Sequence, residues 1–135
     1  MSQDQALILI VDDDFDFLEL NRFILEGAGY RVVTATNPAE ALKRIDAEPP
    51  DLIITDLMMT SIDAGFAFAA QVKGDRRTAD VPIIISTSVS SALGLDFSPD
   101  SDEDLGKMNV DAYFDKPIDA EALVSKVGEL LAARG

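Results

Sequence analysis

Carboxylates, hydroxyl groups and one lysine follow four apolar runs of this sequence, and together these groups could bind a divalent cation and a phosphoryl group. They are Asp12, Asp13 and Asp14, then Asp56, then Ser86, Thr87 and Ser88, and finally Lys116. Adjacent carboxylates repel each other, and a hard divalent cation would offset that repulsion. An ammonium and a hydroxyl could then contact the oxygens of a phosphoryl group at the same place.

The residue types that the sequence lacks restrict which metal ligands and general bases such a site could use. Among its 135 residues the chain has no Cys and no His. This excludes disulfides, metal sites built on thiolate or imidazole, and a histidine base. Any metal would therefore be held by oxygen, which points to Mg²⁺, Mn²⁺ or Ca²⁺.

Net charge and hydropathy limit the kinds of partner that this chain can bind. The formal net charge is −14, whereas phosphate contacts need clustered Lys and Arg, so we expect no nucleic acid to bind. A chain this acidic is suited to cations or to basic partner surfaces. No apolar run approaches the roughly 20 residues of a membrane span, and the N-terminus lacks the basic segment of a signal peptide. We therefore expect a cytoplasmic protein that does not bind a membrane.

Strand-like and helix-like segments alternate along the chain. Apolar runs predict strands at 7–11, 30–36, 52–56, 81–87 and 111–117. The spacing of Phe17, Leu20 and Ile24, with Leu18 and Leu25 alongside, predicts a helix after Asp14. Further helices are predicted after the Asn37 cap, over 66–73, and after the Asp119 cap. The alternation predicts one α/β domain over residues 6–133, with helices on both faces of a doubly wound parallel sheet and residues 1–5 as a tail. Ligands of such sheets bind beyond the carboxyl ends of the strands, where the polar sets lie.

Four short motifs occur in a fixed order at the predicted strand ends: "ILIVDDD", "PDLIITDLMM", "VPIIIST" and "YFDKP". In this order they resemble the receiver domain of bacterial two-component response regulators, of the single-domain chemotaxis type, over nearly the whole chain from Leu7 to Leu131. The resemblance implies a flavodoxin-like fold with five parallel strands in the order 2-1-3-4-5. It also implies phosphorelay signal transduction, with a phosphoryl group taken from a partner protein.

The resemblance further implies a phosphoacceptor and a metal site. Asp56 matches the aspartate that accepts the phosphoryl group, and it also contributes to the metal site. Asp12 and Asp13 match the acidic pair that holds Mg²⁺, or Mn²⁺, with Asp13 as the direct ligand. The backbone carbonyl of Met58 matches another metal ligand. From residue type alone, the acids after the first strand are also explained as a solvated strand end, with Asp14 as the cap of the next helix.

Three residues match the catalytic and switch positions of the family. Thr87 matches the hydroxyl that approaches the phosphoryl group, and Lys116 matches the lysine that contacts it. Tyr113 matches the aromatic that changes rotamer as Thr87 moves, although packing in a half-buried strand also explains a tyrosine there. A shift of one residue would transfer the hydroxyl role to Ser86 or Ser88.

The function implied by the resemblance is that of a phosphoacceptor. A sensor histidine kinase or a His-phosphotransfer protein would donate the phosphoryl group, and this chain, which has no His, cannot be that donor. Catalysis would be confined to its own phosphorylation and dephosphorylation, so we do not expect an enzyme. We expect no effector domain after the last predicted helix. Output would pass through a downstream protein or a phosphorylation-dependent dimer, unless the sequence is a fragment of a larger protein.

Two segments depart from the family pattern. After Asp56 the turn has Thr60 in place of the usual proline, and Gly65 comes one residue later than usual. The switch threonine and the lysine are 29 residues apart, which is more than one crossover helix needs. The segment 88–111 between them is therefore predicted to be an atypical, extended acidic loop, and it belongs to the output face of the family.

Two other functions fit part of the pattern. A degenerate receiver that serves as a constitutive binding or dimerisation module would explain the altered turn and the acidic loop, and it would not bind Mg²⁺. An aspartyl-phosphate phosphohydrolase of the haloacid dehalogenase type needs a second Asp two residues after its nucleophile. Met58 stands at that position.

Overall fold

Parallel strands alternate with helices along the chain, as the sequence pattern predicts. A computed structural model gives the structure, and it describes residues 5–56, 64–87, 111–115 and 118–134. Within these residues the strands are β1 Leu7–Val11, β2 Arg31–Ala35, β3 Leu52–Thr55, β4 Ile83–Thr87 and β5 Ala112–Asp115. The helices are α1 Phe15–Gly27, α2 Pro38–Ala47, α3 Ala64–Lys73 and α4 Ala120–Arg134.

The strands pair in one five-stranded sheet of the order β2-β1-β3-β4-β5. Each of its neighbouring pairs is parallel. The predicted flavodoxin-like, doubly wound α/β fold is confirmed. The direction in which the chain adds strands reverses between β1 and β3, because β2 lies on one side of β1 and the later strands lie on the other. Ligand sites of parallel sheets lie at such a switch in strand order.

Both faces of the sheet are buried, which explains the unbroken apolar runs of β1 and β3. Side chains alternate along a strand, so Ile8 and Ile10 point to one face and Leu9 and Val11 point to the other. The first face packs against Leu18 and Leu25 of α1 and Leu123 and Val127 of α4, and the second packs against Ala41 and Ile45 of α2 and Phe68 and Val72 of α3. Each fully buried Leu or Ile side chain stabilises the fold by about 1.5–3 kcal/mol.

Side-chain caps begin three of the helices. Asp14 accepts hydrogen bonds from two backbone N–H groups in the first turn of α1, at 2.9 and 3.3 Å. Asn37 and Asp119 each accept one such bond, at 2.8 and 3.0 Å, at the starts of α2 and α4. These bonds satisfy donors that the first turn of a helix leaves unpaired. The three predicted caps are confirmed.

The buried side of α1 includes only part of the apolar set that its sequence spacing indicates. Leu18 and Leu25 are fully buried, whereas Leu20, part of the predicted stripe, is 59% exposed. Phe15 and Phe23 are 70% and 78% exposed. Apolar residues therefore surround much of this helix, and periodicity alone cannot indicate which of them face the sheet. We call Phe15, Leu20 and Phe23 the outer apolar face of α1.

The first residues of one strand and one helix differ by two positions from those predicted. β4 begins at Ile83 instead of position 81, because Pro82 has no N–H to donate to a ladder. α3 begins at Ala64, two residues before the predicted start. Among the described helices, none has the length and apolar character needed to cross a membrane. Residues 88–110 lie outside the described ranges, so the predicted acidic loop and the domain bounds 6–133 stay predictions.

An aspartate closes the amino-terminal edge of the sheet at two places. Asp51 precedes β3; its N–H donates to the Leu7 carbonyl at 2.7 Å, and its carboxylate accepts the Leu7 N–H at 2.8 Å. Asp111 precedes β5 and makes the same two bonds with Ile83, at 2.7 and 2.8 Å. The carboxylate supplies the acceptor that the first N–H of a strand needs. Asp111 also binds the Lys73 ammonium at 3.2 Å, which ties the end of α3 to the start of β5.

We expect Asp111→Ala to lower the free energy of unfolding by about 1–3 kcal/mol, because the Ile83 N–H loses its acceptor. Asp111→Asn keeps a carbonyl oxygen at that place and loses only the partly exposed ion pair with Lys73, worth about 0–1 kcal/mol. Urea unfolding of both variants beside the wild type measures the two losses. Equal losses would contradict the role assigned to the hydrogen bond.

Candidate metal-binding site at the carboxyl edge of the sheet

Three carboxylates meet at the carboxyl edge of the sheet, at the switch between β1 and β3. One oxygen from each of Asp12, Asp13 and Asp56 lies within 4.8 Å of the other two. Asp12 is 0% exposed and Asp56 is 7% exposed, while Asp13 is exposed to solvent. The structure thus brings together three of the residues that the sequence predicts for metal binding.

The sheet itself fixes the backbone of the two buried aspartates. Asp12 and Asp56 each follow the last residue of a strand, and the ladder continues through them. The Asp12 N–H donates to the last carbonyl of β2 at 3.0 Å, and the Asp56 N–H donates to the last carbonyl of β1 at 2.9 Å. Asp12 Oδ1 accepts the Asp14 N–H at 2.9 Å, which holds the short loop that carries Asp13. The carboxylates are therefore preorganised by backbone hydrogen bonds.

The donor atoms fit a hard divalent cation. All three are carboxylate oxygens, which Mg²⁺, Mn²⁺ and Ca²⁺ prefer. Oxygens bound to one Mg²⁺ at about 2.0–2.1 Å lie at most about 4.2 Å apart, so small side-chain rotations would bring these three to one ion. Like charges held this close repel each other, most strongly where water is excluded. A bound cation removes that penalty, so the residues fit the predicted Mg²⁺ or Mn²⁺.

Of the predicted switch residues, Thr87 lies on β4, the strand next to β3, and Tyr113 lies one strand further away on β5. Thr87 is the last residue of β4, and Tyr113 pairs with Ile85 in the register of β4 with β5. The side chains of Thr87 and Tyr113, and Met58 and Lys116 as a whole, lie outside the described residues. The roles of these four residues therefore stay predictions.

One polar residue of the strand next to Asp56 is predicted only as an alternative to Thr87. Ser86, in β4, is 0% exposed. The signal that could single it out is the alternation of side chains along β4, which puts position 86 on the same face as the buried Ile84. Asp14 behaves as predicted from residue type: it caps α1 and does not belong to the three-carboxylate cluster.

Comparison with known proteins indicates one family. The sequence profile of the response regulator receiver domain matches residues 8–128. The chain is 36% identical over 124 residues to the DNA-binding dual master transcriptional regulator RpaA of Synechocystis sp., covering 92% of this chain and 48% of that protein. A putative response regulator from Chloroflexus aurantiacus has a TM-score of 0.80 at 29% identity, over 96% of this chain and 99% of that one. The chemotaxis response regulator CheY4 of Vibrio cholerae has a TM-score of 0.78 at 26% identity, over 93% and 98%.

A flavodoxin-like sheet with an acidic cluster at its switch point defines the class of protein. With the match over residues 8–128, this chain belongs to the response regulator receiver domain family, whose members act in phosphorelay signalling. The chain spans about half the length of RpaA, 48%, and so corresponds to one part of that protein.

We expect Asp13→Ala to weaken Mg²⁺ binding by about tenfold or more, because a direct ligand is lost. The same change should raise the melting temperature of the metal-free chain, since it removes one of three mutually repelling carboxylates. Calorimetric Mg²⁺ titration and thermal unfolding in a chelator measure the two effects. A lower melting temperature together with unchanged Mg²⁺ affinity would contradict the assignment.

Asp14→Ala is the matched control for that experiment. It removes a neighbouring carboxylate that caps α1, so the free energy of unfolding should fall by about 0.5–2 kcal/mol. Its Mg²⁺ affinity should stay close to that of the wild type, because Asp14 lies outside the cluster. The two variants therefore move stability in opposite directions.

Proposed function

We propose that Asp56 accepts a phosphoryl group from a phosphohistidine on a sensor histidine kinase or a His-phosphotransfer protein, with Mg²⁺ as cofactor. The observation that carries this proposal is the position of Asp56, within 4.8 Å of Asp12 and Asp13 at the carboxyl edge of the sheet. Membership of the receiver family supports the same role. Asp56 is only 7% exposed, which limits the access of bulk water to the acceptor.

The transfer is a displacement at phosphorus. An Asp56 carboxylate oxygen forms a bond to phosphorus while the bond from phosphorus to the donor imidazole nitrogen breaks. The electron pair of the broken bond leaves with that nitrogen, which takes up a proton. The product is an acyl phosphate on Asp56, and its hydrolysis by water returns the carboxylate and inorganic phosphate. Phosphoryl transfer of this kind depends chiefly on alignment and on neutralisation of charge.

Each proposed site residue has one task in this scheme. Asp12 and Asp13 would hold Mg²⁺, which supplies positive charge to the phosphoryl oxygens when bound. By the family resemblance, Lys116 would contact a phosphoryl oxygen from the other side, and Thr87 would approach the phosphoryl group after transfer. The chain would act only on its own aspartate, so we do not class it as an enzyme.

Output of the signal is proposed to pass through protein contacts. DNA binding is a property named for RpaA, of which this chain spans 48%. The formal net charge of −14 disfavours contact with nucleic acid and favours a partner with a basic surface. A downstream protein, or a dimer formed on phosphorylation, would then recognise the phosphorylated state in the cytoplasm.

The two alternative functions gain no support from the described residues. A degenerate receiver is expected to lose its acidic cluster, whereas Asp12, Asp13 and Asp56 are held together. A phosphohydrolase of the haloacid dehalogenase type needs a general acid at the position of Met58. The phosphoacceptor is therefore the function that this site supports best.

Incubation with acetyl phosphate and Mg²⁺ should add the mass of one phosphoryl group to the intact chain, because an acyl phosphate supplies the same group as a phosphohistidine. Asp56→Asn should gain no mass, since an amide is a poor nucleophile. A chelator should prevent the modification of the wild type. Mass spectrometry of the intact protein measures all three outcomes.

Asp16→Asn provides a matched control, because Asp16 is an exposed acid of the first turn of α1 outside the cluster. It should be phosphorylated as fast as the wild type. An unmodified wild type would refute the proposal, and so would equal added mass on Asp56→Asn.

A further inference from the structure

Ser86 is a buried hydroxyl without a hydrogen bond. Its side chain is 0% exposed, and among the described residues no group donates to or accepts from its Oγ. Other buried hydroxyls are satisfied: Thr55 Oγ1 donates to the Asp56 carbonyl at 3.1 Å, and Thr78 Oγ1 donates to the Val72 carbonyl at 2.7 Å. Because a buried hydroxyl without a partner costs stability relative to alanine, Ser86 needs an explanation beyond packing.

Ser86 lies on the same face of the sheet as the buried carboxylates. Ile10, Ile54 and Ile84 all belong to the core cluster on the α1 and α4 side of the sheet. Side chains alternate along a strand, so the residue two positions after each of these isoleucines returns to the same face. Those residues are Asp12, Asp56 and Ser86.

The register places Ser86 beside Asp56. Thr55 of β3 pairs with Ile85 of β4, so the next position along both strands sets Asp56 next to Ser86. Neighbouring strands lie about 4.7–4.9 Å apart, a distance that two short polar side chains can bridge when one of them changes rotamer. On its other side Ser86 pairs with Phe114, whose ring offers no acceptor.

We propose that Ser86 is a positioning residue for the acceptor aspartate, an inference that rests on the proposed function of Asp56. When Asp56 turns to meet the cation and the donor, the Ser86 hydroxyl donates a hydrogen bond to the carboxylate oxygen that does not attack phosphorus. The attacking oxygen is thereby aimed at the donor. After transfer the same hydroxyl faces the carbonyl oxygen of the acyl phosphate, which remains an acceptor.

Ser86 lies on the side of Asp56 away from Asp12, so its proposed role in orienting Asp56 differs from direct binding of the metal. Asp12 and Ser86 lie on opposite sides of Asp56, because β1 and β4 are the two neighbours of β3. A group on the β4 side can orient Asp56 without touching an ion on the β1 side. Loss of the Ser86 hydroxyl should therefore slow phosphoryl transfer at saturating Mg²⁺ more than it weakens Mg²⁺ binding.

The test compares Ser86→Ala and the isosteric pair Ser86→Thr and Ser86→Val. Rates of phosphorylation by acetyl phosphate at fixed Mg²⁺, Mg²⁺ affinity and melting temperature are measured for each variant and the wild type. We expect Ser86→Ala and Ser86→Val to be slower by about fivefold to tenfold, the effect of losing one hydrogen bond in the transition state. Ser86→Thr should recover most of the rate that Ser86→Val loses, because these two variants differ only in the hydroxyl.

The outcomes distinguish this proposal from the one on which it rests. A wild type that is phosphorylated, with a Ser86→Ala variant as fast and with a higher melting temperature, would overturn the role of Ser86 alone. Equal rates for Ser86→Thr and Ser86→Val would do the same, since bulk would then account for the change. A wild type that gains no phosphoryl group would overturn the proposed function of Asp56 and the role of Ser86 with it.

Discussion

Repulsion among carboxylates that the sheet does not allow to separate is the interaction on which the rest of this structure depends. Acids on a free loop would move apart into water, whereas the backbones of Asp12 and Asp56 are bonded into the ladder, so their carboxylates can separate only by side-chain rotation. The apolar runs of β1 and β3, buried on both faces, supply the stability that tolerates this arrangement. The hydrophobic core thus holds the acidic cluster together, and a bound cation would reduce the repulsion within it.

The two edges of the sheet use the same residue type for opposite purposes. At the amino edge the strands present N–H donors, and Asp51 and Asp111 are stabilised by accepting them. At the carboxyl edge the N–H groups of Asp12 and Asp56 extend the ladder, and their carboxylates lie close to each other and to that of Asp13. An acid at the start of a parallel strand therefore closes the sheet, whereas an acid at its end favours a cation.

Much of the fold could be predicted because the signals are local. The caps Asp14, Asn37 and Asp119 act within one helical turn, and the strands are unbroken apolar runs. The strand order came from the family resemblance, since periodicity does not contain it. The outward position of Leu20 could not be predicted, because it depends on which side of α1 the sheet occupies.

Some features of the candidate site could likewise be predicted from the sequence, and others could not. The meeting of Asp12, Asp13 and Asp56 follows from the rule that parallel strands end at one edge, so sequence position was sufficient. Ser86 is buried and has no partner in the part of the chain that the structure describes, which depends on the register of β3 with β4 and on packing across the face. The sequence of one strand does not indicate which strand pairs with it or in what register. The hydrogen bonds that Asp51 makes with Leu7 could not be predicted for the same reason.

The outer apolar face of α1 has a consequence for the behaviour of the protein in solution. Exposed phenylalanine side chains such as Phe15 and Phe23 favour association between copies of a protein. A chain of net charge −14 keeps its copies apart by long-range repulsion, which acts over about 10 Å at 0.1 M salt. We expect concentrated salt or acidification, which weaken this repulsion, to promote association between copies through the outer apolar face of α1.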